Sequence, residues 1–385
     1  MQKKVAIVGA ASSKFGELWE SSPRSLVSSV VNTALCDAGV SLGDIDVLFV
    51  GNMLSGVLGN QENLGALFAD ELSLTVPAIK IEGACASGGL AVHCAFVAVA
   101  SGQYETALVV GVEKMTDHKP EEVSLALMGA GSELERLSGL TFPGLYALIA
   151  RSYIKRYSLS QKELASVAVK NHFHALMNPN AHFHLPLTTE SVLNSPMIAD
   201  PLRLFDCSPI SDGAAALVIS SNKRVLKKQH PVWIIGSAAA TDTLSLANRK
   251  DLTSLSASVK AADYVYKHAG ITPSDIDVAE VHDCFTIAEI IALEDLGIFK
   301  KGTAGKRILQ GAVTCDGGKH LVVNTSGGLK ACGHPIGATG VKQAVEIVDQ
   351  LLGRCHKRQV ANARIGLTHN VGGSGAIAVV HALAI

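Results

Sequence analysis

Two thiols and two imidazoles stand in contexts that suit covalent and proton-transfer chemistry. Cys85 lies in IEGACASGG (81–89), behind a strand-like run and ahead of an apolar helical stretch that starts near Gly88. Backbone N–H groups at the start of a helix favour a thiolate, and small neighbours let a substrate carbonyl approach the sulfur. Small residues before a helix also suit close packing, so Cys85 reads either as a nucleophile or as a structural cysteine. His334 stands in NTSGGLKACGHPIGATG (324–340), whose glycines force unusual turns around one imidazole. A general base and acid for a thiol fits there; so does a histidine that caps the helix starting after Pro335. Cys332, two residues earlier, makes a Cys-x-His pair, but closely spaced further ligands are missing from the sequence and no metal is expected.

His282, Asp283, Cys284 and Phe285 follow the apolar strand DVAEV and precede the helical pattern TIAEIIALEDLG. Open α/β sheets gather reactive groups at the carboxyl ends of their strands. The plainer alternative has His282 capping the helix and Cys284 filling the core. A last glycine cluster, THNVGGSGA (368–376), lacks the Lys-Ser/Thr of a phosphate loop and is better suited to presenting backbone donors to a developing oxyanion.

The elements that must position these groups are legible as a repeat. ALCDAGVSLGDIDVLFV (34–50) aligns without gaps on VYKHAGITPSDIDVAEV (265–281), and VAIVGAASS (5–13) on VWIIGSAAA (232–240). Each copy reads strand, helix ending at Ala-Gly, then an apolar strand after Asp-Ile-Asp, an α/β layered pattern. A second strand-to-helix unit follows in each copy, and the copies close with buried-strand patterns at 105–115 and 364–383. Between about Asp117 and Phe205 lies an insertion without a partner, with one long helical pattern (146–178) and then loops rich in Pro, Asn and His, as a lid or substrate-binding lobe would have.

Composition agrees with a buried, layered chain. Of 385 residues, 48% are apolar and 17% charged, which excludes a disordered or linker-dominated chain and implies two domains or more. A net charge of −1 offers no footprint for a nucleic-acid backbone or an anionic membrane. The softest stretch, 88–101, is shorter than the ~20 residues of a spanning helix, so no membrane span is expected. The N-terminus carries no leader pattern and the C-terminus no peroxisomal tripeptide. Eight cysteines without a C-x-x-C pair read as reduced thiols, and a cytoplasmic location is expected.

Taken in order, GACASGG, HDCF, NTSGGLKACGHPIGATG and HNVGGSG resemble the thiolase family from end to end. KNHFHALMNPNAHF resembles the loop domain of its sterol-carrier-protein-2 type, and DCSPISDGAAALVIS the approach to the last strand of the thiolase N-terminal half. The resemblance implies an α/β fold of two similar βαβαβαββ halves in five α-β-α-β-α layers. The N-terminal half would comprise 1–116 and 206–230, an inserted loop domain for CoA and substrate 117–205, and the C-terminal half 231–385. The resemblance also implies roles. Cys85 would carry the acyl group and His334 would activate it; Cys284 would be the α-proton base, and His282 would hold an enolate oxygen. Backbone donors near Val371 and Gly372 would meet the tetrahedral oxyanion, Ser208 would touch the pantetheine arm, and Phe285 would line the substrate site. Ordinary members carry Asn-Glu-Ala-Phe in place of HDCF and Cys-x-Gly where His369, Asn370 and Val371 stand, so the acid/base thiol is relocated to Cys284, as in the sterol-carrier-protein-2-like branch. The sterol-carrier domain of some relatives is expected to be absent.

The activity so implied is acyl transfer between CoA thioesters, with Claisen condensation of acetyl-CoA or cleavage of 3-ketoacyl-CoA, and no permanently bound cofactor. Partners would be acyl-CoA and CoA, further copies of the chain in a homodimer or homotetramer, and a partner subunit of a multienzyme complex. Rivals are a 3-hydroxy-3-methylglutaryl or ketoacyl synthase, which would lack a second thiol as α-proton base, and an acyl-CoA binder or partner-dependent subunit with little turnover alone.

Overall fold

The computed structural model describes residues 4–228, 230–315 and 321–385. The first copy of the repeat supplies strands β1 (Ala6–Ser12), β2 (Val47–Gly51), β3 (Ala78–Ile81), β4 (Thr106–Glu113) and β5 (Gly213–Ser220). The second supplies β6 (Val232–Thr241), β7 (Val278–Glu280), β8 (Val322–Val323), β9 (Ile365–Gly372) and β10 (Ile377–Ala384). Their order is β3-β2-β4-β5-β1 in one half and β8-β7-β9-β10-β6 in the other, the same topology twice. In both halves the first three named strands run parallel and the rest antiparallel. Among the described residues the halves join edge to edge through the pairs Ala6 with Trp233 and Ile7 with Val232.

The residues shared by the two copies explain why each folds alike. Helix α1 (Pro23–Ala38) ends on Gly39, and the equivalent Ser256–Ala269 helix ends on Gly270, both glycines in the left-handed region at φ 61° and 66°. The repeated Asp-Ile-Asp does two jobs in each half. Asp44 and Asp275 accept from the backbone N–H of Ser41 and Thr272 and close a 3-10 turn. Asp46 takes the N–H groups of Glu105 and Thr106 where β4 begins, and Asp277 those of Arg364 and Ile365 where β9 begins.

Two helices fill the middle layer, α2 (Ser87–Ala100) from the first half and α7 (Ile336–Leu351) from the second. They pack on each other and on strands of both halves, while α1 covers the outer face of one half and α5 (Ser256–Ala269) that of the other. The five α-β-α-β-α layers are therefore present. Alanine side chains would not allow the central crossing: a Cβ on Gly88 would lie 2.6 Å from the Gly337 carbonyl oxygen, and one on Gly340 2.2 Å from the Gly89 nitrogen.

Between β4 and β5 the chain runs through the inserted segment. The long helical pattern there is two helices, α3 (Phe142–Tyr157) and α4 (Gln161–Ala175). Ser158 turns left-handed at φ 56° to end the first, and Ser160 with Glu163 forms the capping box that starts the second. This segment is built into the C-terminal half. Lys170 pairs with Glu289 at 2.9 Å and donates to the Val323 carbonyl, Asn171 donates to Asp283 and Glu289, and Asn178 donates to the Ser326 carbonyl. All five side chains that contribute charge or amide here are buried. A mobile lid would not carry such contacts, so the segment is a fixed wall. In β9 and β10 the corresponding strands are joined by a tight turn with no insertion.

Candidate active site

Cys85 sits in a 3-10 turn (Ala84–Ala86) between β3 and α2. Ala84 adopts φ 53°, a left-handed geometry unfavourable for a residue with a Cβ. Three bonds hold it: Ala84 N–H to Glu82, Gly83 N–H to the Ser87 hydroxyl, and that hydroxyl to the Ala84 carbonyl. His334 follows a short helix (Gly328–Cys332) whose first N–H groups, on Leu329 and Lys330, donate to the Asp283 carboxylate. A Cβ on Gly328 would lie 2.3 Å from that carboxylate, so the glycine-rich run is needed to wrap Asp283. Asp283 thus anchors the loop that carries His334 and takes no place in the cavity. His282 and Cys284 flank it, at the end of β7 and before α6 (Thr286–Asp295).

These elements converge. The sulfur of Cys85 and ring nitrogens of His282 and His334 lie within 4.8 Å of one another, and the two rings meet edge to face with centroids 5.1 Å apart. Cys85, Cys284 and His334 line one cavity of about 170 Å³ together with Ser208, Phe285, Tyr146 and Gly373. Its remaining wall is largely apolar, including Met115, Leu127, Phe142 and Ile336.

The hydrogen-bond network gives the two imidazoles opposite chemical characters. The Thr339 hydroxyl donates to the Pro335 carbonyl at 3.0 Å, so at 2.7 Å it accepts from His334 Nδ1–H. Nε2 of His334 is then an unprotonated lone pair. For His282 the argument starts at Gly89, whose N–H donates to Asn370 Oδ1 at 3.1 Å and fixes that amide. Asn370 Nδ2 must donate, to the Cys85 carbonyl at 3.0 Å and to His282 Nδ1 at 3.1 Å. Nε2 of His282 therefore carries the hydrogen. Among the described residues both Nε2 atoms are buried and without a partner. One is a base and the other a donor, both beside the Cys85 sulfur.

Electrostatics corrects the expectation for Cys85. Burial pushes its thiol up to about 12, Glu113 adds to the rise, and the Gly373 N–H opposes it. The start of α2 does not prevail over desolvation. Burial also lowers His334 to about 3 and holds His282 well below the usual histidine range. Cys284 is held well above the usual thiol range, first by burial and then by the charge Cys85 would carry.

Of the residues expected from sequence, Ser208 lines the cavity and its N–H donates to the Cys284 carbonyl at 2.9 Å. Phe285 lines it too, stacked on Tyr146 at 4.6 Å. Val371 and Gly372 do not. They belong to β9, paired with Ala378 and Ile377 of β10, and Val371 packs in the apolar core. Gly373, one residue on, faces the Cys85 sulfur instead. Alternation along the strand moves the site-facing side chain to Asn370, while His369 binds Ser258 away from the cavity. The glycine cluster joins two strands, which excludes a phosphate loop at a helix start. Cys332 does not join His334 as a metal pair. Its sulfur receives the Asn178 amide at 3.6 Å, and the geometric ligand set is Cys85, His282 and His334, of which His282 presents a hydrogen rather than a lone pair.

A repeated five-layer α/β fold, with a cysteine and a basic imidazole meeting at the starts of its two central helices, defines a class of enzymes that carry acyl groups on sulfur. Residues 5–223 match the family model described as thiolase, N-terminal domain, and residues 238–384 the one described as thiolase C-terminal domain-like. The chain belongs to the thiolase family. It is 46% identical to an acetyl-CoA acetyltransferase of Methanothermobacter thermautotrophicus, over 98% of this chain and 99% of that one. It is 32% identical to the sterol carrier protein 2 of Gallus gallus, over 98% of this chain and 71% of that protein. A solved chain of an Ltp2-ChsH2(DUF35) aldolase superposes with a TM-score of 0.84 at 25% identity, covering 99% of this chain and 97% of that one. No helix of the described residues is long and apolar enough to cross a membrane.

Proposed function

We propose that the protein is an acyltransferase that exchanges acyl groups between CoA thioesters and makes or breaks the carbon–carbon bond of a short 3-ketoacyl-CoA. The opposed hydrogen-bonding of the two imidazoles beside Cys85 carries this reading. In the first half, Cys85 attacks the thioester carbonyl, His334 Nε2 takes the thiol proton and passes it to the departing CoA sulfur. The N–H groups of Gly373 and Cys85 meet the transient oxyanion. In the second half, Cys284 releases its thiol proton to solvent, the thiolate so formed takes an α-proton from acetyl-CoA, and His282 Nε2–H donates to the enolate oxygen. The carbon then attacks the acyl group, and Cys85 leaves as thiolate and takes up a proton from solvent, so both sulfurs end as the thiols they began as.

The names of the relatives and the confined apolar wall support a two-carbon acyl group. Ser208 and Phe285 border the path of the pantetheine arm, and the segment 117–205, which supplies Leu127, Phe142 and Tyr146 to the cavity, is read as the substrate-binding lobe. Eight free thiols fit the reducing cytoplasm. Incubation with acetoacetyl-CoA and CoA should yield acetyl-CoA, with an acyl adduct on Cys85 by mass spectrometry, and Cys85→Ala should abolish both. In Cys284→Ala acyl transfer to Cys85 should persist while carbon–carbon exchange falls at least a hundredfold; retention of both activities would refute the base assignment. A second reading, a partner-dependent subunit, is favoured by the likeness to a chain solved within an Ltp2-ChsH2(DUF35) aldolase. Acyl-CoA binding without turnover of the isolated chain would select it.

A further inference from the structure

Tyr146 enters the cavity from α3, in the segment that has no counterpart in the second half. Its side chain is 2% exposed, its ring stacks on Phe285 with planes 28° apart, and its hydroxyl donates to the Gly373 carbonyl at 3.2 Å. The same side chain lines the cavity together with Cys284 and acts on the charge of its sulfur. The hydroxyl proton thus has one acceptor in hand, a neutral carbonyl, and a second across the cavity, a sulfur whose charge changes during the reaction. While Cys284 is a thiol, the carbonyl is the better acceptor. Once Cys284 is a thiolate, a charge-assisted bond to sulfur is roughly twice as strong as a neutral one, and the preference reverses.

We infer that Tyr146 is the positioning residue for Cys284: its hydroxyl turns from the Gly373 carbonyl to the sulfur when the thiolate forms, holding that sulfur toward the α-carbon of the bound thioester. This rests on the reading of Cys284 as the α-proton base. The groups facing the sulfur leave few alternatives. Cys85, from the turn before α2, and Asp283, from the same loop, both oppose a second negative charge, and the Phe285 N–H is the other donor. Arg249 acts on Tyr146 from behind. The phenol itself cannot compete for the proton, since burial and the two sulfurs keep it from ionising in any working range. Gly373 offers its N–H to Cys85 and its carbonyl to Tyr146, so one peptide stretch links the two thiols.

Tyr146→Phe keeps the ring and its stack on Phe285 while removing the donor. Deuterium exchange at the α-carbon of acetyl-CoA should fall roughly tenfold at pH 7, with the rising limb of its pH profile moved up by about one unit. Acylation of Cys85, followed by mass spectrometry, should stay within about threefold. Equal loss in both half-reactions with an unmoved pH profile would overturn the inference. Cys284→Ala run alongside separates the two failures: if it still exchanges, the base reading is wrong, and if it is dead while Tyr146→Phe keeps its pH profile, only the positioning role is wrong. In a Cys85→Ser background, iodoacetamide labelling of Cys284 against pH gives an independent readout. Tyr146→Phe should shift that curve upward as well, and an unchanged curve counts against the role.

Discussion

A buried thiol beside a buried imidazole rests as a neutral pair. Burial raises Cys85 to about 12 and lowers His334 to about 3, which disfavours an ion pair, so in the proposed reaction the proton moves as the thioester is attacked. His334 can receive it only if Nδ1 keeps its hydrogen, which depends on Thr339 accepting. Thr339→Val preserves shape and removes that acceptor. We expect kcat/KM for thiolysis of acetoacetyl-CoA to fall about 10- to 100-fold with cooperative unfolding retained, and steady-state kinetics with circular dichroism check both. Cys85, His282, Cys284 and His334, which the fold brings together, were legible as candidates from their types and neighbours. Thr339, Asn370 and Tyr146 were not, because a partner that fixes a tautomer is an ordinary polar residue until its distance is known. The strand period marks Asn370 once β9 is placed, but the sequence alone leaves open where β9 ends and its turn begins, which is why Val371 and Gly372 were expected where Gly373, just past the strand, faces Cys85.

Helix α4 shows why the insertion is a wall. Lys170 and Glu289 are both almost fully buried and lie at the centre of a set of amides that also hold Asn324. Lys170→Met would leave a buried carboxylate without its cation, a change that typically costs about 3–5 kcal/mol. We expect urea unfolding of Lys170→Met to show a loss of that order, and Lys170→Met with Glu289→Gln to recover a substantial part; equal stabilities for the single and double variants would deny the pairing. The repeated elements were readable because Ala-Gly and Asp-Ile-Asp have fixed local jobs. The break between α3 and α4 was missed, because apolar periodicity runs through it; its signal is the Ser-x-x-Glu capping box at 160–163. How the insertion docks depends on contacts between residues more than a hundred positions apart, which local pattern does not carry.

Across the whole molecule, buried histidines bind both halves to the central layer. His381 on β10 donates from Nε2 to the Gly89 carbonyl and accepts at Nδ1 from Ser237, which in turn meets His93. Burial lowers His381 to about 3, with the charge of His93 next. An unfolded histidine titrates near 6.5, so between about 6.5 and 3 only the unfolded chain takes up this proton. The stability it contributes is whole above 6.5 and is lost as pH falls. At pH 5 the loss is about 2 kcal/mol. His381→Gln, which keeps one donor and one acceptor, should therefore narrow its gap to wild type by about that amount between pH 7.5 and pH 5 in urea titrations; a constant gap would place the titration elsewhere.

The first turns of α2 and α7 touch at Gly88, Gly89, Gly337 and Gly340, with Cys85 just ahead of one and His334 just ahead of the other. The N-terminal ends of both helices, one from each copy of the repeat, therefore face the same place, and both bring the positive end of a peptide dipole to it. Either half alone would hold only a fragment of the constellation, since Cys85 comes from the first and His282, Cys284 and His334 from the second.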